Sequence, residues 1–209
     1  MSHSRALTAA AVLWVLAVAG CTSGPPPPDD TPYLAAIQLD RADKDVFFHG
    51  RDSPLPAGER ANFPGLVYYA VDPAYRVPAR LEINTVDRAT VLELPQTSTT
   101  EKRRMRRVGM LHFVLPVAGE AELTLTAFVE VEQPDVKRLF VPFTDATSNK
   151  GTYGGGRYLE LNRTPTGLYD LDFNRAYHPY CVYAKGFECP LPPRENKLTT
   201  AILAGEKLK

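Results

Sequence analysis

The stretch ELTLTAFVEV, Glu122 to Val131, decides the fold. Leu123, Leu125, Ala127, Val129 and Val131 fall on one side of an extended chain, and Glu122, Thr124, Thr126, Phe128 and Glu130 on the other. Successive side chains of a strand point to opposite faces, so the spacing predicts a strand buried on one face. The same period of two recurs on both sides of it. Leu81 and Ile83 alternate with Arg80, Glu82 and Asn84; Leu111, Phe113 and Leu115 with His112 and Val114; Leu139, Val141 and Phe143 with Arg138 and Phe140. Residues 66–71, 90–94 and 157–162 are further strand candidates. The chain carries 19 prolines and 14 glycines, which punctuate these runs at short intervals. Many short half-buried strands with frequent turns predict a mainly β fold, an antiparallel β-sandwich or a partly closed barrel.

Upstream the period changes. Thr31-Pro32 is a helix start, because proline is favoured in a first turn. Leu34, Ile37, Val46 and Phe47, with alanines between them, mark an N-terminal amphipathic helix reaching about residue 48. Residues 32–209 are expected to form a single mostly β domain. Lys+Arg and Asp+Glu are 24 each, and this balance offers no electrostatic footprint for nucleic acid. The one charge run, KRRMRR at 102–107, reads as a solvated edge strand whose cations discourage edge-to-edge pairing.

The first residues are an address. Arg5 precedes an apolar run from Ala6 to Ala19, too short to span a bilayer and suited to a signal-peptide core. Val18-Ala19-Gly20-Cys21 then resembles a bacterial lipobox. Residues 1–20 are therefore expected to be a lipoprotein signal peptide. Cys21 is expected to be lipidated, with the lipid bilayer as partner through its acyl chains, palmitate among them. Residues 21–31 hold the anchor and a linker stiffened by Pro25 to Pro28. This makes the chain an exported lipoprotein of the cell envelope, on the periplasmic or extracellular face.

Cys181 and Cys189 remain as an even pair, which an oxidising compartment favours joining in a disulfide. Adding His178 gives H-x-x-C-x7-C, three potential zinc ligands. No second Cys/His cluster accompanies it, so neither a metal nor a cofactor is expected.

From Phe143 onward polar, glycine and tyrosine residues crowd together. Gly154-Gly155-Gly156-Arg157 reads either as a turn leading into a strand or as an anion contact with Arg157 as a forked donor. In an extended Leu168–Asn174, Tyr169, Leu171 and Phe173 share one face, while Asp170, Asp172 and Asn174 share the other. Unpaired carboxylates are too costly to bury, so that second face needs water, an arginine or a ligand. A Ser148-His178-Asp172 triad can be drawn, but the chain has no G-x-S-x-G elbow. The candidate ligand-binding residues are Tyr153, Arg157, Asp172, Asn174, Tyr177, Glu195 and Asn196. Arg157, Asp172 and Asn196 are expected to converge at one polar site.

These segments carry a family resemblance. The motifs KDVFF (Lys44 to Phe48), FPGLVYY (Phe63 to Tyr69), FTDATS (Phe143 to Ser148), TYGGGRYL (Thr152 to Leu159), DFNRAYHPYC (Asp172 to Cys181), CPLPPREN (Cys189 to Asn196) and AGEK (Ala204 to Lys207) resemble the prokaryotic family named domain of unknown function 1684. The likeness covers most of residues 36–209. It implies a mostly β domain, often exported, and no established activity. Relatives usually carry Asn where this chain has His178, which counts against a metal there.

Three functions compete. One is a membrane-anchored binding domain for a small polar or anionic ligand. The second is a hydrolase using a carboxylate, Asp172 or Glu195, with Arg157 stabilising developing charge. The third is a protein-interaction module of the envelope.

Overall fold

The computed structural model describes residues 29–83, 90–132 and 137–209. The expected signal peptide, Cys21, most of the linker and the strand position Asn84 lie outside the described residues. The described residues build α1 (Thr31–His49), α2 (Ala57–Arg60) and seven strands: β1 (Arg76–Glu82), β2 (Val91–Pro95), β3 (Lys102–Val114), β4 (Glu122–Glu130), β5 (Arg138–Phe143), β6 (Arg157–Asn162) and β7 (Leu168–Asp172). They form one antiparallel sheet in the order β6-β5-β4-β3-β1-β7, with β2 pairing β3. The sheet curls into a nearly closed barrel. Just beyond β7, Tyr177 reaches back to the other end of the sheet and exchanges two backbone hydrogen bonds with Tyr158 of β6, at 2.9 and 3.1 Å.

The inward positions are those the alternation predicts: Leu111, Phe113, Leu125, Ala127, Leu139 and Leu171 lie in one buried cluster. Residues 66–71, expected as a strand, run as irregular chain with a single bridge from Tyr68 to Glu206. That bridge ties the segment to the C-terminal tail rather than to the sheet.

The KRRMRR run is not an edge. Lys102–Arg106 pairs residue for residue with β2, and Met105–Arg107 pairs with β4. Charge here serves cross-strand pairing: Lys102 meets Glu93 at 3.1 Å, Arg103 meets Glu130 at 3.1 Å and Arg104 meets Glu132 at 3.1 Å. A bulge between Arg107 and Gly109 then switches the strand's parity. Met105 consequently faces outward while Val108, Leu111 and Phe113 face the core.

Helix α1 packs across the outside of the barrel. Ile37 and Phe48 are its buried residues, whereas Val46, expected in the apolar stripe, is 70% exposed. Polar groups on the same face as Ile37 do much of the docking. Tyr33 donates to Asp172 at 2.9 Å, Arg41 donates to the Tyr69 carbonyl at 3.1 Å, and Lys44 meets Glu206 at 2.5 Å.

Candidate functional site

The outward face of the barrel is not uniformly polar. Phe128 sits directly opposite Phe140 in the β4–β5 pair. Together with Leu94 and Met105 they make a second apolar cluster on the outside of the sheet. Tyr158 of β6 extends it, its ring edge-on to Phe140 with centroids 4.7 Å apart. The chain from Tyr177 to Pro190 arches over this surface without closing onto it. Between them lies a cleft of about 720 Å³. Its floor is Met105, Phe128, Phe140 and Tyr158, and its wall includes Tyr177, Tyr180, Phe187 and Cys189.

The rim is charged, and most of its charges other than Glu188 are paired with one another or with a neighbour. Arg103 pairs with Glu130 at 3.1 Å, Arg138 pairs with Glu160, and Lys44 pairs with Glu206 at 2.5 Å. Tyr177 donates its hydroxyl to Glu160 at 3.0 Å, and Lys44 lies over the Tyr177 ring, 4.5 Å from its centroid. Burial, reinforced by the Glu160 charge, holds the Tyr177 phenol well above the usual range. Tyr158 spends its hydroxyl on the Pro190 carbonyl at 2.6 Å, which fixes the wall to the floor. The cleft thus offers flat aromatic faces edged by carboxylate and guanidinium groups. Its size falls in the range usual for small-molecule pockets.

Three residues expected to converge are instead spent in three separate networks. Arg157 points into the barrel and is 1% exposed. It donates to Asp145 at 3.1 Å and to the carbonyls of Ile202 at 2.8 Å, Glu206 at 3.0 Å and Ala204. Asp172 accepts from Tyr33, from the Asn174 amide at 2.9 Å and from Arg175 at 3.3 Å. Asn196 is fully buried and stitches β4 to β5, accepting from Thr126 N at 2.7 Å and donating to the carbonyls of Thr126 and Pro142. None of the three lines the cleft. The error is one of direction: Arg157 shares the parity of Leu159 and Leu161, which face inward. Its guanidinium is a clasp for the C-terminal tail. Gly156, with φ +91, makes the turn into β6, and a Cβ there would meet the Phe143 carbonyl at 2.5 Å.

The remaining expected residues are scattered. Tyr177 does line the cleft. Asn174 bonds Asp72 and Tyr33, Glu195 pairs with Arg107 on the surface, and the Tyr153 phenol interacts with Cys181. The drawn triad does not form, since Ser148 bonds Asp145 while His178 contacts Glu206, Tyr183 and the Tyr153 amide. Burial, with Arg157 and Lys44 nearby, pushes the His178 imidazole down to about 3, so it is neutral. Among the described residues no cluster of three or more His, Cys, Asp or Glu is placed to hold a metal ion.

The expected disulfide is not formed; Cys181 and Cys189 are free thiols. They do meet, one thiol hydrogen-bonding the other. Spacing in the sequence brought them together, but oxidation state is not written in it. Hydrogen bonds from Cys189, Thr97 and Tyr153 hold the Cys181 thiol down to about 6 against the opposing effect of burial, while Cys189, as donor to it, is pushed up.

Fold and cleft together define a class: a nearly closed antiparallel barrel, strapped by one helix, with an aromatic cleft on its outer face. The chain belongs to the family described as protein of unknown function (DUF1684), whose model matches residues 61–207. It is also similar to an uncharacterized protein of Haloarcula marismortui, known from a solution NMR structure. The two share 38% identity over 86% of this chain and 96% of that one, with a TM-score of 0.64. No curated protein matches the chain.

Proposed function

We propose that this chain is a lipid-anchored, exported binding domain, and that its ligand is a small polar molecule with a flat apolar face, of saccharide type, held in the cleft between the outer sheet face and residues 177–190. The cleft carries the reading. Phe128 and Tyr158 are themselves buried beneath the cleft, so the apolar surface that a ring-shaped ligand can cover is that of the half-buried Phe140 and Phe187 and the exposed Tyr180. Glu160, Arg138, Glu130 and Arg103 at its edge supply acceptors and donors for hydroxyl groups. Because those charges are paired, the cleft favours a neutral hydroxylated ring over a strongly charged one. Anchoring rests on Val18 to Cys21 behind the apolar run. Two acyl chains are what stable membrane attachment takes. No described helix is long and apolar enough to cross a membrane.

Saturation-transfer NMR with glucose, N-acetylglucosamine and their disaccharides tests the binding half. Transfer to the ring protons of one of them, abolished by Phe187→Ala or Tyr180→Ala, is the expected result. No transfer from any of the panel removes the saccharide reading. Intact mass of membrane-extracted protein tests the anchor: a mature N-terminus other than a diacylated Cys21 refutes it.

A further inference from the structure

A second, smaller pocket lies between α1 and the barrel, on the other side of Lys44 and Tyr177 from the aromatic cleft. It has a volume of about 140 Å³, and Arg41, Lys44, Tyr68, Arg175 and Glu206 line it. Most of its charges are answered. Lys44 pairs with Glu206 at 2.5 Å, and Arg175 pairs with Asp40 and, at 3.3 Å, with Asp172.

Arg41 is different. Its Nη1 donates to the Tyr69 carbonyl at 3.1 Å, and its guanidinium stacks on the Tyr68 ring with Cζ 4.3 Å from the centroid. Its Nε and Nη2 are buried and have no hydrogen-bond partner among the described residues, and neither does the Tyr68 hydroxyl. No described carboxylate forms an ion pair with Arg41 either; Asp40 and Glu206, the two acids of the pocket, are engaged by Arg175 and Lys44. A buried donor without an acceptor costs more than an ordinary hydrogen bond returns, so orphans gathered at one pocket need an occupant. Nε and Nη2 are the side of a guanidinium that grips two oxygens of a single carboxylate or phosphate in parallel.

We propose that this pocket is an oxyanion site, in which Arg41 Nε and Nη2 hold two oxygens of a small carboxylate or phosphate and the Tyr68 hydroxyl donates to the same anion. The volume matches, since it is room for about four or five water-sized groups at ~30 Å³ each. The ring of Tyr68 keeps the guanidinium plane in place, so little ordering remains to be done on binding. The two pockets share Lys44 and Tyr177 as a wall, but Arg41 and Tyr68, which carry this proposal, do not line the aromatic cleft, so the two readings are tested separately.

The test is calorimetric titration of the full-length chain with sodium phosphate and, separately, sodium acetate, at fixed ionic strength with chloride as reference. One saturable site is expected for at least one of the two anions, and which one binds distinguishes phosphate from carboxylate. Arg41→Gln should weaken it at least about tenfold, the effect of losing a charged bidentate contact. Tyr68→Phe, which removes only a hydroxyl, should weaken it about threefold or more. Phe187→Ala in the aromatic cleft should leave it unchanged. If Arg41→Gln fails to fold, Tyr68→Phe decides alone. Absence of saturation by either anion up to about 50 mM, or unchanged affinity in the variants, overturns the proposal and leaves the three orphan atoms to water.

Discussion

Arg157→Ala is the perturbation that best separates a clasp from a binding group. The side chain is 1% exposed and serves four acceptors: Asp145 and the carbonyls of Ile202, Ala204 and Glu206. Removing it leaves a buried carboxylate whose remaining partners are the Thr147 hydroxyl and the Ile202 amide, each at 2.7 Å, and the Ser148 hydroxyl at 3.4 Å. It also strands three carbonyls. Breaking one side of a buried ion pair costs about 3–5 kcal/mol, and a stranded buried acceptor roughly 1–3 more. Water entering the vacated space recovers part of this, so a loss of about 5 kcal/mol is expected. For a domain of this size about 2–4 °C accompanies each kcal/mol, giving a fall in melting temperature of roughly 10–20 °C. Arg157→Lys keeps the charge but has no planar fork to span four acceptors, and should lose about half as much. Differential scanning calorimetry of the three proteins measures this directly. A fall below about 3 °C for Arg157→Ala would show that the C-terminal tail is held by something else.

Other outcomes follow from the same networks. His178 is held neutral near 3 by burial, against an ordinary value of 6.5, so the unfolded chain takes up a proton first as the pH falls. Its contribution is therefore complete above pH 6.5 and is lost between 6.5 and about 3, with a slope approaching 1.4 kcal/mol per pH unit. His178→Asn should flatten the stability-versus-pH curve in that window, and an unchanged slope contradicts a buried neutral imidazole. Iodoacetamide should modify Cys181 rapidly at neutral pH and Cys189 slowly, and Cys189→Ser should shift the Cys181 rate profile to higher pH; equal rates for the two thiols would rule out their hydrogen-bonded pairing. Gly205 has φ +76, and a Cβ there would lie 2.5 Å from the Ala176 carbonyl. Gly205→Ala should cost more than about 2 kcal/mol in denaturant unfolding, and a neutral effect would mean the tail is free to shift.

The barrel was legible because alternation is local. Leu125, Ala127, Leu139 and Val141 declare their faces within a few residues, and all four are in the core. The cleft was not, because it is a property of cross-strand register. Met105 sits in a basic run, Phe128 and Phe140 in strands whose other face is the obvious core, and Tyr158 beside a buried arginine. Each looks like an isolated exception on a polar face. A signal was present nonetheless: four separate strands each place a large apolar residue among their outward positions. The glycine and arginine signature misled for the complementary reason. Arg157 follows a turn and looks like a ligand donor, yet its parity puts it inside. Only the tail that comes back to meet it, residues 202–206, explains how a guanidinium can be satisfied there. The apolar stripe of α1 gave no sign of the docking by Arg41 and Lys44, which turn toward the barrel.

The central claim is that the outer aromatic cleft is where this family member takes its ligand. Backbone and methyl chemical-shift mapping of the labelled full-length chain, titrated with whichever saccharide of the panel shows transfer, tests it most directly. The account predicts saturable shifts centred on Met105, Phe128, Phe140, Tyr158, Tyr180 and Phe187, with Arg157 and Asn196 unmoved. Shifts centred on Arg157, Asp172 or Asn196, with the cleft silent, would contradict it.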